Sequence, residues 1–298
     1  MTTAREALIH ATQRLQASGI DSARTDAELL LCHVLECKRS RLMLVDELSF
    51  DQRMAYERLL GARQSRVPLQ HLTGVAPFRY LELEIGPGAL VPRPETEVVV
   101  EATLRWIREN VTTRPLLLDL CSGAAPIAVA LATELDHVDV VAMEKYEEAM
   151  VWGRRNFVKY AEDIAGRDNT LTMVDADATD MAAFAAYEGR VAAVVSNPPY
   201  IPDGMVPRDP EVMKHDPAVA LFGGADGFDI VRGLLDTTAF ALQNGGLLVM
   251  EHADAQGETA GESGLPALVR AHGAFELVED HNDLTARPRY TTAIRKAR

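Results

Sequence analysis

The residues at 196–202 have the composition of a binding corner: they read Ser196-Asn197-Pro198-Pro199-Tyr200-Ile201-Pro202. They follow an apolar run at 191–195, rich in valine and alanine, which predicts a buried strand of a parallel sheet. Such sheets bind their ligands just beyond the carboxyl ends of the strands. Pro198 keeps Asn197 out of the helical region, and the two prolines remove two backbone donors. The corner is therefore rich in hydrogen-bond acceptors.

The chemistry that this corner favours is the holding of a planar amino group. The side-chain oxygen of Asn197 and the carbonyl oxygen of Pro198 can each accept one N–H bond of an amide or arylamine, and Tyr200 can stack against the group. The lone pair of such a nitrogen is delocalised, so the nitrogen attacks an electrophile only when it is held and aimed. The alternative is a proline-stiffened turn with no ligand, which Asn-Pro dipeptides often form. The neighbouring elements have to decide between these interpretations.

The elements earlier in the chain predict a nucleotide-type site. Residues 116–120 form a predicted buried strand, and Cys121-Ser122-Gly123-Ala124-Ala125-Pro126 leads into a helix of small residues that reaches about Leu135. Small residues let the backbone approach a ligand closely where a strand becomes a helix. A second strand, 138–143, ends at Glu144, where an acidic side chain takes a ribose diol in this kind of fold. Together these signals predict a ligand that carries adenosine.

The rest of the sheet follows in the same pattern. A helix at 146–160 and a strand at 171–174 lead to Asp177, which either faces the adenine edge or belongs to a solvated acidic turn. Strands at 247–251, 275–279 and 290–294 complete the sheet, and the short connection between the last two predicts that they are antiparallel. The connection at 201–229 is long and rich in proline, glycine and aspartate, so we expect it to be partly helical and to act as a lid.

Residues 1 to about 70 predict a small helical domain. Two segments fit the capping-box pattern before an apolar-periodic stretch, Thr25-Asp26-Ala27-Glu28 and Ser49-Phe50-Asp51-Gln52. From Pro77 the apolar residues alternate, which predicts a hairpin with its turn at Gly86-Pro87-Gly88 and its second strand at 89–91. This hairpin is expected to link two domains.

The next segment, Pro92-Arg93-Pro94-Glu95-Thr96-Glu97, opens a helix that reaches about Arg108. The helix dipole favours acidic residues in a first turn, and this alone explains the two glutamates. It does not call for an arginine between two prolines. We therefore predict that Arg93 and Glu95 lie at the rim of the active site.

The composition argues against several classes of protein. The 298 residues include 30 basic and 44 acidic ones, a net charge of −14, whereas a partner held through its phosphates needs clustered lysine and arginine. No apolar stretch approaches the ~20 residues that span a bilayer, and the N-terminus lacks the features of a signal peptide, so we expect a cytoplasmic protein with no membrane partner. The cysteines at 32, 37 and 121 and the scattered histidines predict neither a disulfide nor a metal site.

On these motifs, and over nearly its whole length, the chain resembles the glutamine N5-methyltransferases of peptide-chain release factors, which use S-adenosylmethionine. The most specific matches are the segment at 92–97, the Asp119 loop, Arg154-Arg155-Asn156, the corner at 196–202, and Leu221-Phe222-Gly223-Gly224-Ala225-Asp226-Gly227. The resemblance implies an α/β fold in three parts: a helical substrate-recognition domain at 1–73, a β-hairpin linker at 74–92, and a seven-stranded Rossmann-like class I methyltransferase domain at 93–298.

The same resemblance implies roles for individual residues. The residues implied to border S-adenosylmethionine are Asp119, Cys121, Ser122, Gly123, Ala124, Ala125, Glu144, Asp177, Ala178 and Asn197. The residues implied to hold the substrate glutamine, in a Gly-Gly-Gln motif of a release factor, are Asn197, Pro198, Pro199 and Tyr200, with Arg93 and Glu95 at the rim. No metal is implied.

The loop departs from the family pattern, which usually reads Asp-Leu-Gly-Thr-Gly-Ser-Gly. This chain has Cys121, Ser122 and Ala125 at three of the small positions, followed by Pro126. If Ala125 needs a positive φ, its Cβ costs about 1 kcal/mol. The departure bears on the affinity for the cofactor rather than on its identity.

Two other functions stay open at this level. The same corner could hold the amino group of adenine or cytosine, although the acidic balance of the chain and the absence of a basic stripe in its sequence weigh against nucleic-acid binding. Alternatively, the altered loop could mark a diverged binding protein with weak activity or none. Calorimetry with S-adenosylmethionine separates this last hypothesis from the two enzymes.

Overall fold

The computed structural model describes residues 3–207 and 209–297. The chain divides into two compact units. The first comprises Met1–Val75, Ile85–Pro87 and Pro207–Asp216, and the second comprises Ala76–Glu84, Gly88–Val206 and Pro217–Arg298. The predicted domain boundaries at 73 and 92 stay predictions.

The first unit is helical, as predicted. Its helices are α1 (Ala4–Ala17), α2 (Ala23–Leu35), α3 (Phe50–Gln64), α4 (Leu69–Thr73) and, from the later segment, α9 (Pro210–His215), with a 3₁₀ turn at Arg39–Leu44. The core residues Leu15, Leu30, Leu31, Tyr56 and Leu60 are buried on the facing sides of α1 to α3.

Of the two predicted capping boxes in this unit, one is confirmed and one is wrong. Ser49 and Gln52 bond reciprocally at the start of α3. Thr25 does not cap α2, because that helix already begins at Ala23, after Ser22. Asp26 instead turns inward and forms a buried ion pair with Arg63. Burial of this carboxylate, and not capping, explains the acidic residue near the start of the helix.

The hairpin exists, but the prediction placed its turn wrongly. Its strands are β1 (Val75–Phe78) and β2 (Leu81–Glu84), and Gly86-Pro87-Gly88 lies after it. Arg79 makes the turn with a φ of 52°. Its backbone N–H donates to Glu97 Oε1 at 2.9 Å and its guanidinium bonds to Glu134. These contacts, remote in sequence, stabilise a turn that no glycine marks.

The second unit contains the predicted seven-stranded sheet, in the order β5-β4-β3-β6-β7-β9-β8. Its strands are β3 (Leu116–Leu120), β4 (Asp139–Glu144), β5 (Thr170–Asp175), β6 (Val191–Ser196), β7 (Leu242–Glu251), β8 (Phe275–Asn282) and β9 (Pro288–Arg295). The first five are parallel, and β9 pairs antiparallel with both β7 and β8, as predicted. The chain therefore has the α/β fold of class I methyltransferases.

Helices cover both faces of this sheet. They are α5 (Glu97–Asn110), α6 (Pro126–Glu134), α7 (Glu147–Lys159), α8 (Ala161–Gly166), α10 (Asp229–Ala241) and α11 (Leu265–His272). The connection after β6 is partly helical, as predicted, with α9 and a 3₁₀ turn at Ala218–Ala220. Its role as a lid stays a prediction.

The strand order determines where a ligand can bind. From β3 the chain proceeds to β4 and β5 on one side, and to β6 and β7 on the other. The loops after β3 and β6 therefore diverge and leave a crevice at the carboxyl edge, which is where open α/β sheets bind their ligands. Both the small-residue loop and the acceptor corner lie at this point.

Candidate active site

The acceptor corner is fixed from several sides. Ser196 Oγ donates to the carbonyl of Leu120 at 2.7 Å, which links the end of β6 to the end of β3. The N–H of Ile201 donates to Leu221 O at 2.9 Å, and Gln256 Nε2 donates to Tyr200 O at 2.8 Å. The corner is thus held through its ends rather than through its centre.

The two predicted acceptors remain available for a ligand. Asn197 Nδ2 donates to Thr96 Oγ1 at 3.1 Å, and this bond turns the side-chain oxygen of Asn197 away from Thr96. Within residues 3–207 and 209–297, neither Asn197 Oδ1 nor the carbonyl of Pro198 accepts a hydrogen bond. The corner therefore presents two oxygen acceptors that no described residue donates to.

Tyr200 lies against a buried acid. Its hydroxyl donates to Glu251 Oε1 at 3.2 Å. Burial, together with the charge of Glu251, raises the pKa of Tyr200 above its ordinary value. The hydroxyl of Tyr200 therefore stays neutral at physiological pH and is not a general base.

The loop after β3 has the strained backbone that the sequence suggested. Cys121, Gly123 and Ala125 have φ values of 59°, 58° and 62°. Asp119 holds the loop from below, since its Oδ2 accepts from Ser122 Oγ at 2.6 Å and from Ala128 N at 3.1 Å. Burial raises the pKa of Asp119 to about 7, and its Oδ1 has no partner among the described residues.

Glu144, at the end of β4, closes the loop from the neighbouring strand. Its Oε2 accepts from Gly123 N at 2.8 Å. Its Oε1 accepts from the backbone N–H groups of Lys145 and Tyr146, both at 2.9 Å. These three bonds fix the carboxylate and fill both acceptor sites of Oε1, so one lone pair of Oε2 remains for a ligand hydroxyl.

Asp177 lies opposite, after β5. Its Oδ1 accepts from the backbone and the hydroxyl of Thr179, and its Oδ2 pairs with Lys145 Nζ at 2.9 Å. Partial burial opposes ionisation, but the bonds from Thr179 and Lys145 prevail and hold the pKa of Asp177 below its ordinary value. Asp177 is therefore a fixed carboxylate at the cleft and not merely a solvated turn.

These parts line one cleft with about 970 Å³ of empty space, including space that is open to solvent. The predicted site residues on its wall are Arg93, Cys121, Ser122, Gly123, Ala124, Glu144, Asp177, Ala178, Asn197 and Pro199. The predicted site residues that do not line it are Glu95, Asp119, Ala125, Pro198 and Tyr200. Asp119 and Ala125 are fully buried beneath the loop, whereas Glu95 is exposed.

The sequence reasoning missed two polar residues that contact the corner. Thr96 is buried and bonds to Asn197, although the prediction for the segment 92–97 gave it no role. Glu251 is buried at the end of β7, beside the strand that carries Asn197. An acid at the end of an apolar strand next to the corner was the available signal. Burial raises the pKa of Glu251 to about 7.

Two features were sought and not found in residues 3–207 and 209–297. No group of three or more histidine, cysteine, aspartate or glutamate side chains there could hold a metal ion. No helix in the same ranges is long and apolar enough to cross a membrane.

Comparisons with known proteins find relatives that are named as methyltransferases. Residues 6–74 match the family described as "PrmC N-terminal domain". The chain is 43% identical to a release factor glutamine methyltransferase of Streptomyces coelicolor, over 96% of both chains. It is 40% identical to one of Mycolicibacterium smegmatis over the full length of both. It is also 35% identical to a 4-amino-L-phenylalanine/4-methylamino-L-phenylalanine methyltransferase of Streptomyces pristinaespiralis, over 92% of this chain and 89% of the relative.

Proposed function

Because the chain belongs to the release factor glutamine methyltransferase family, we propose that its acceptor corner holds the side-chain amide of a release-factor glutamine for N5-methylation. The chain is a methyltransferase of the class that uses S-adenosylmethionine. The observation that carries the proposal is the free acceptor Asn197 Oδ1 on a residue that lines the cleft, with the carbonyl of Pro198 next to it in the chain.

The residues around the cleft fit S-adenosylmethionine. Glu144 has a fixed carboxylate for the ribose diol, and Gly123 has no neighbouring atom within 4 Å of where a Cβ would lie, so the loop leaves room for a ligand. The buried Oδ1 of Asp119 has no partner, which suits a cationic amino group nearby. Asp177 can accept from the adenine amino group. When bound, S-adenosylmethionine supplies an electrophilic methyl group on a cationic sulfonium.

The corner contributes to methyl transfer mainly by holding the substrate amide in position. Asn197 Oδ1 and Pro198 O each accept one N–H bond of the substrate amide, which rotates the nitrogen lone pair toward the methyl donor. The methylated nitrogen is then tetrahedral and acidic, so its proton can pass to water or to a backbone carbonyl. Tyr200 cannot take this proton, because its own hydroxyl stays protonated. The mechanism therefore requires no strong general base.

The direct test is a methylation assay. The chain is incubated with isotopically labelled S-adenosylmethionine and purified release factors, and the modified residue is mapped by mass spectrometry. We expect one label on the glutamine of the Gly-Gly-Gln motif. A release factor with that glutamine replaced is the control, and label retained on it would contradict the assignment.

A second substrate class has a specific observation behind it. The relative from Streptomyces pristinaespiralis is named for an arylamine substrate, and two acceptors hold an arylamine as well as an amide. The same assay therefore includes free 4-amino-L-phenylalanine and a single-stranded DNA oligomer. Faster transfer to either than to a release factor would replace the proposed substrate.

Glu144 provides the sharpest test of the cofactor site. We expect Glu144→Ala to weaken S-adenosylmethionine binding by about 1.5–3 kcal/mol, because a buried diol loses a charged acceptor. Isothermal titration calorimetry measures the change, with Glu147→Ala as the matched control, since Glu147 is an exposed acid three residues away. Equal affinity in all three proteins would remove Glu144 from the site.

Ala125 tests whether the loop is strained. With a φ of 62°, its Cβ costs about 1 kcal/mol, which Ala125→Gly relieves. The buried methyl group lost is worth about 0.8 kcal/mol. We therefore expect thermal stability close to the parent and S-adenosylmethionine affinity that is unchanged or higher.

The matched control for Ala125→Gly is Ala132→Gly, a buried position within α6. There the backbone is helical and no strain is relieved, so this change should lower the melting temperature. A marked loss of cofactor affinity in Ala125→Gly, by calorimetry, would show instead that the alanine is fitted to the ligand.

A further inference from the structure

The motif at 221–227 lies against the acceptor corner, and the mechanism above gives it no role. The N–H of Ile201 donates to Leu221 O at 2.9 Å, and the N–H of Gly223 donates to Ile201 O at 2.9 Å. Between these two bonds, Ile201 and Phe222 form a parallel β-bridge. The motif therefore runs as an extended segment beside the residue that follows the corner.

The corner cannot be held by backbone donors of its own prolines. Pro198 and Pro199 have no N–H group, so this stretch is fixed only through its oxygens, its side chains and its packing. The oxygen of Pro198 belongs to the planar peptide unit that joins it to Pro199, and it therefore moves with Pro199. Whatever holds the backbone just after Pro198 decides where this proposed acceptor points.

Gln256 holds the carbonyl of Tyr200. Its Nε2 donates to Tyr200 O at 2.8 Å, while its Oε1 accepts from Ala253 N at 3.0 Å. Gln256 is buried and does not line the cleft. A carboxamide has its donors on one atom and its acceptor on the other, so only one orientation of this side chain makes both bonds.

Two glycines of the motif pack against the same stretch of backbone. A Cβ on Gly227 would lie 2.2 Å from Tyr200 O and 2.8 Å from Gln256 Nε2. A Cβ on Gly223 would lie 2.6 Å from Pro199 O. Real Cβ atoms essentially never come within 3.0 Å of another heavy atom, and a backbone oxygen cannot rotate away as a side chain does. Only glycine lets the motif approach the corner this closely.

We propose that Gln256 and these two glycines form a clamp on the corner, and that the clamp sets the direction in which the Pro198 carbonyl meets the substrate amino group. The inference rests on the proposed function of the corner and deepens it. Gln256 is a positioning residue, because it acts through the Tyr200 carbonyl and has no contact with the reacting atoms.

The first test is Gln256→Met, which keeps the length of the side chain and removes the donor. We expect single-turnover methylation of a release factor to fall by about tenfold or more, since misplacement of an orienting group has effects of this size. The KM for the release factor and the affinity for S-adenosylmethionine should each stay within about twofold, as they do when only transition-state geometry is lost. Gln243→Met, at an exposed position of β7, is the matched control and should keep the parental rate.

Gly227→Ala tests the clamp from its other side, with Gly245→Ala as the matched control. The two glycines have φ values of 84° and 76°, so alanine costs each about 1 kcal/mol in backbone strain. A Cβ on Gly245 meets no atom within 4 Å, whereas one on Gly227 meets the Tyr200 carbonyl. We therefore expect Gly245→Ala to keep the parental rate and Gly227→Ala to lose at least about tenfold. Equal rates for the two variants would overturn the inference.

The double variant Gly227→Ala with Gln256→Met measures the coupling. Both changes displace the same carbonyl, so the double variant should be no slower than the slower of the two single variants. Losses that multiply would show two separate roles and would also overturn the inference.

A crystal structure gives a readout that does not depend on the substrate. In Gln256→Met the Pro198 oxygen should lie about 1 Å from its place in the parent, which is the scale of misplacement that impairs catalysis. An unmoved oxygen would overturn the clamp even if the rate falls. If Gln256→Met does not fold, the same measurement on Gly227→Ala decides.

The outcomes separate this inference from the proposed function. If the parent chain does not methylate a release factor, the proposed function fails, and the position of the Pro198 oxygen still decides whether the clamp exists. If the parent is active and Gln256→Met, with a melting temperature near that of the parent, retains more than half of its rate, the positioning role is wrong.

Discussion

Replacing Asn197 by alanine is expected to lower the single-turnover rate of methyl transfer to a release factor by at least about a hundredfold, because orientation effects from a ~1 Å misplacement reach this size. The variant loses one of two acceptors for the substrate amide and the bond to Thr96 that keeps this acceptor in place. Cofactor affinity should change far less, since the lost interaction serves the transition-state geometry. Saturating S-adenosylmethionine isolates the chemical step.

Asn197→Asp separates the loss of the acceptor from the loss of the side chain. It keeps the size and one oxygen toward the cleft, but it adds a negative charge, and its second oxygen can only accept from the Thr96 hydroxyl, to which Asn197 donates. We expect activity between the parent and Asn197→Ala, with the melting temperatures of both variants close to the parent. Asn110→Ala, at an exposed end of α5, is the control. A rate above about a tenth of the parent in Asn197→Ala would make Asn197 only a turn residue.

Much of the catalytic fold could be predicted because its signals are local. The strands β3 and β6 are continuous apolar runs, as buried parallel strands are, and each ends in turn residues. The strand order then brings the loops after them to one crevice, so the predicted cleft residues are mostly confirmed as neighbours. Local pattern and topology were sufficient for this part.

The errors arose where distant residues override a local signal. Gly86-Pro87-Gly88 is the strongest turn signal near the hairpin, yet the turn forms at Arg79, which acids on α5 and α6 hold in place. The segment that begins at Thr25 matches the capping-box pattern, but its Asp26 is buried in an ion pair with Arg63 instead. Arg79 and Glu97 are 18 residues apart in the chain, and Asp26 and Arg63 are 37 apart.

The polar residues around the corner lie beyond sequence reasoning for the same reason. Thr96 immediately precedes α5, Asn197 immediately follows β6, and Glu251 ends β7, so only the completed sheet brings them together. The corner could be predicted as rich in acceptors from its prolines. Which atom of Asn197 faces the cleft depends on a hydroxyl 101 positions earlier.

The helical unit contains a buried ion pair. Arg63 Nε and Asp26 Oδ2 are 2.7 Å apart, and their side chains are only 8% and 4% exposed. Arg63 also bonds to Glu211 Oε1 at 3.0 Å, as does Arg66, so the same arginine connects α9 to the N-terminal helices within this unit. Removing Arg63 leaves a buried carboxylate without its partner, which costs more than the lost contacts themselves.

We therefore expect Arg63→Met to lower the free energy of unfolding of the helical unit by about 3–5 kcal/mol. The double variant Arg63→Met with Asp26→Asn should lose clearly less, because it removes both charges together. Arg24→Met is the control. It removes an exposed arginine from its pair with Glu28, which keeps Arg39 as a partner, and should cost no more than about 1 kcal/mol. Urea unfolding followed by far-ultraviolet circular dichroism measures the change.

The two tryptophans give this experiment a second probe. Trp106 and Trp152 both belong to the second unit, so their fluorescence reports the sheet and not the helical unit. We expect Arg63→Met to produce an early circular-dichroism transition while the tryptophan transition stays near that of the parent. A single coincident transition at the parental midpoint would show that the buried pair contributes little, and that the inward turn of Asp26 has no bearing on stability.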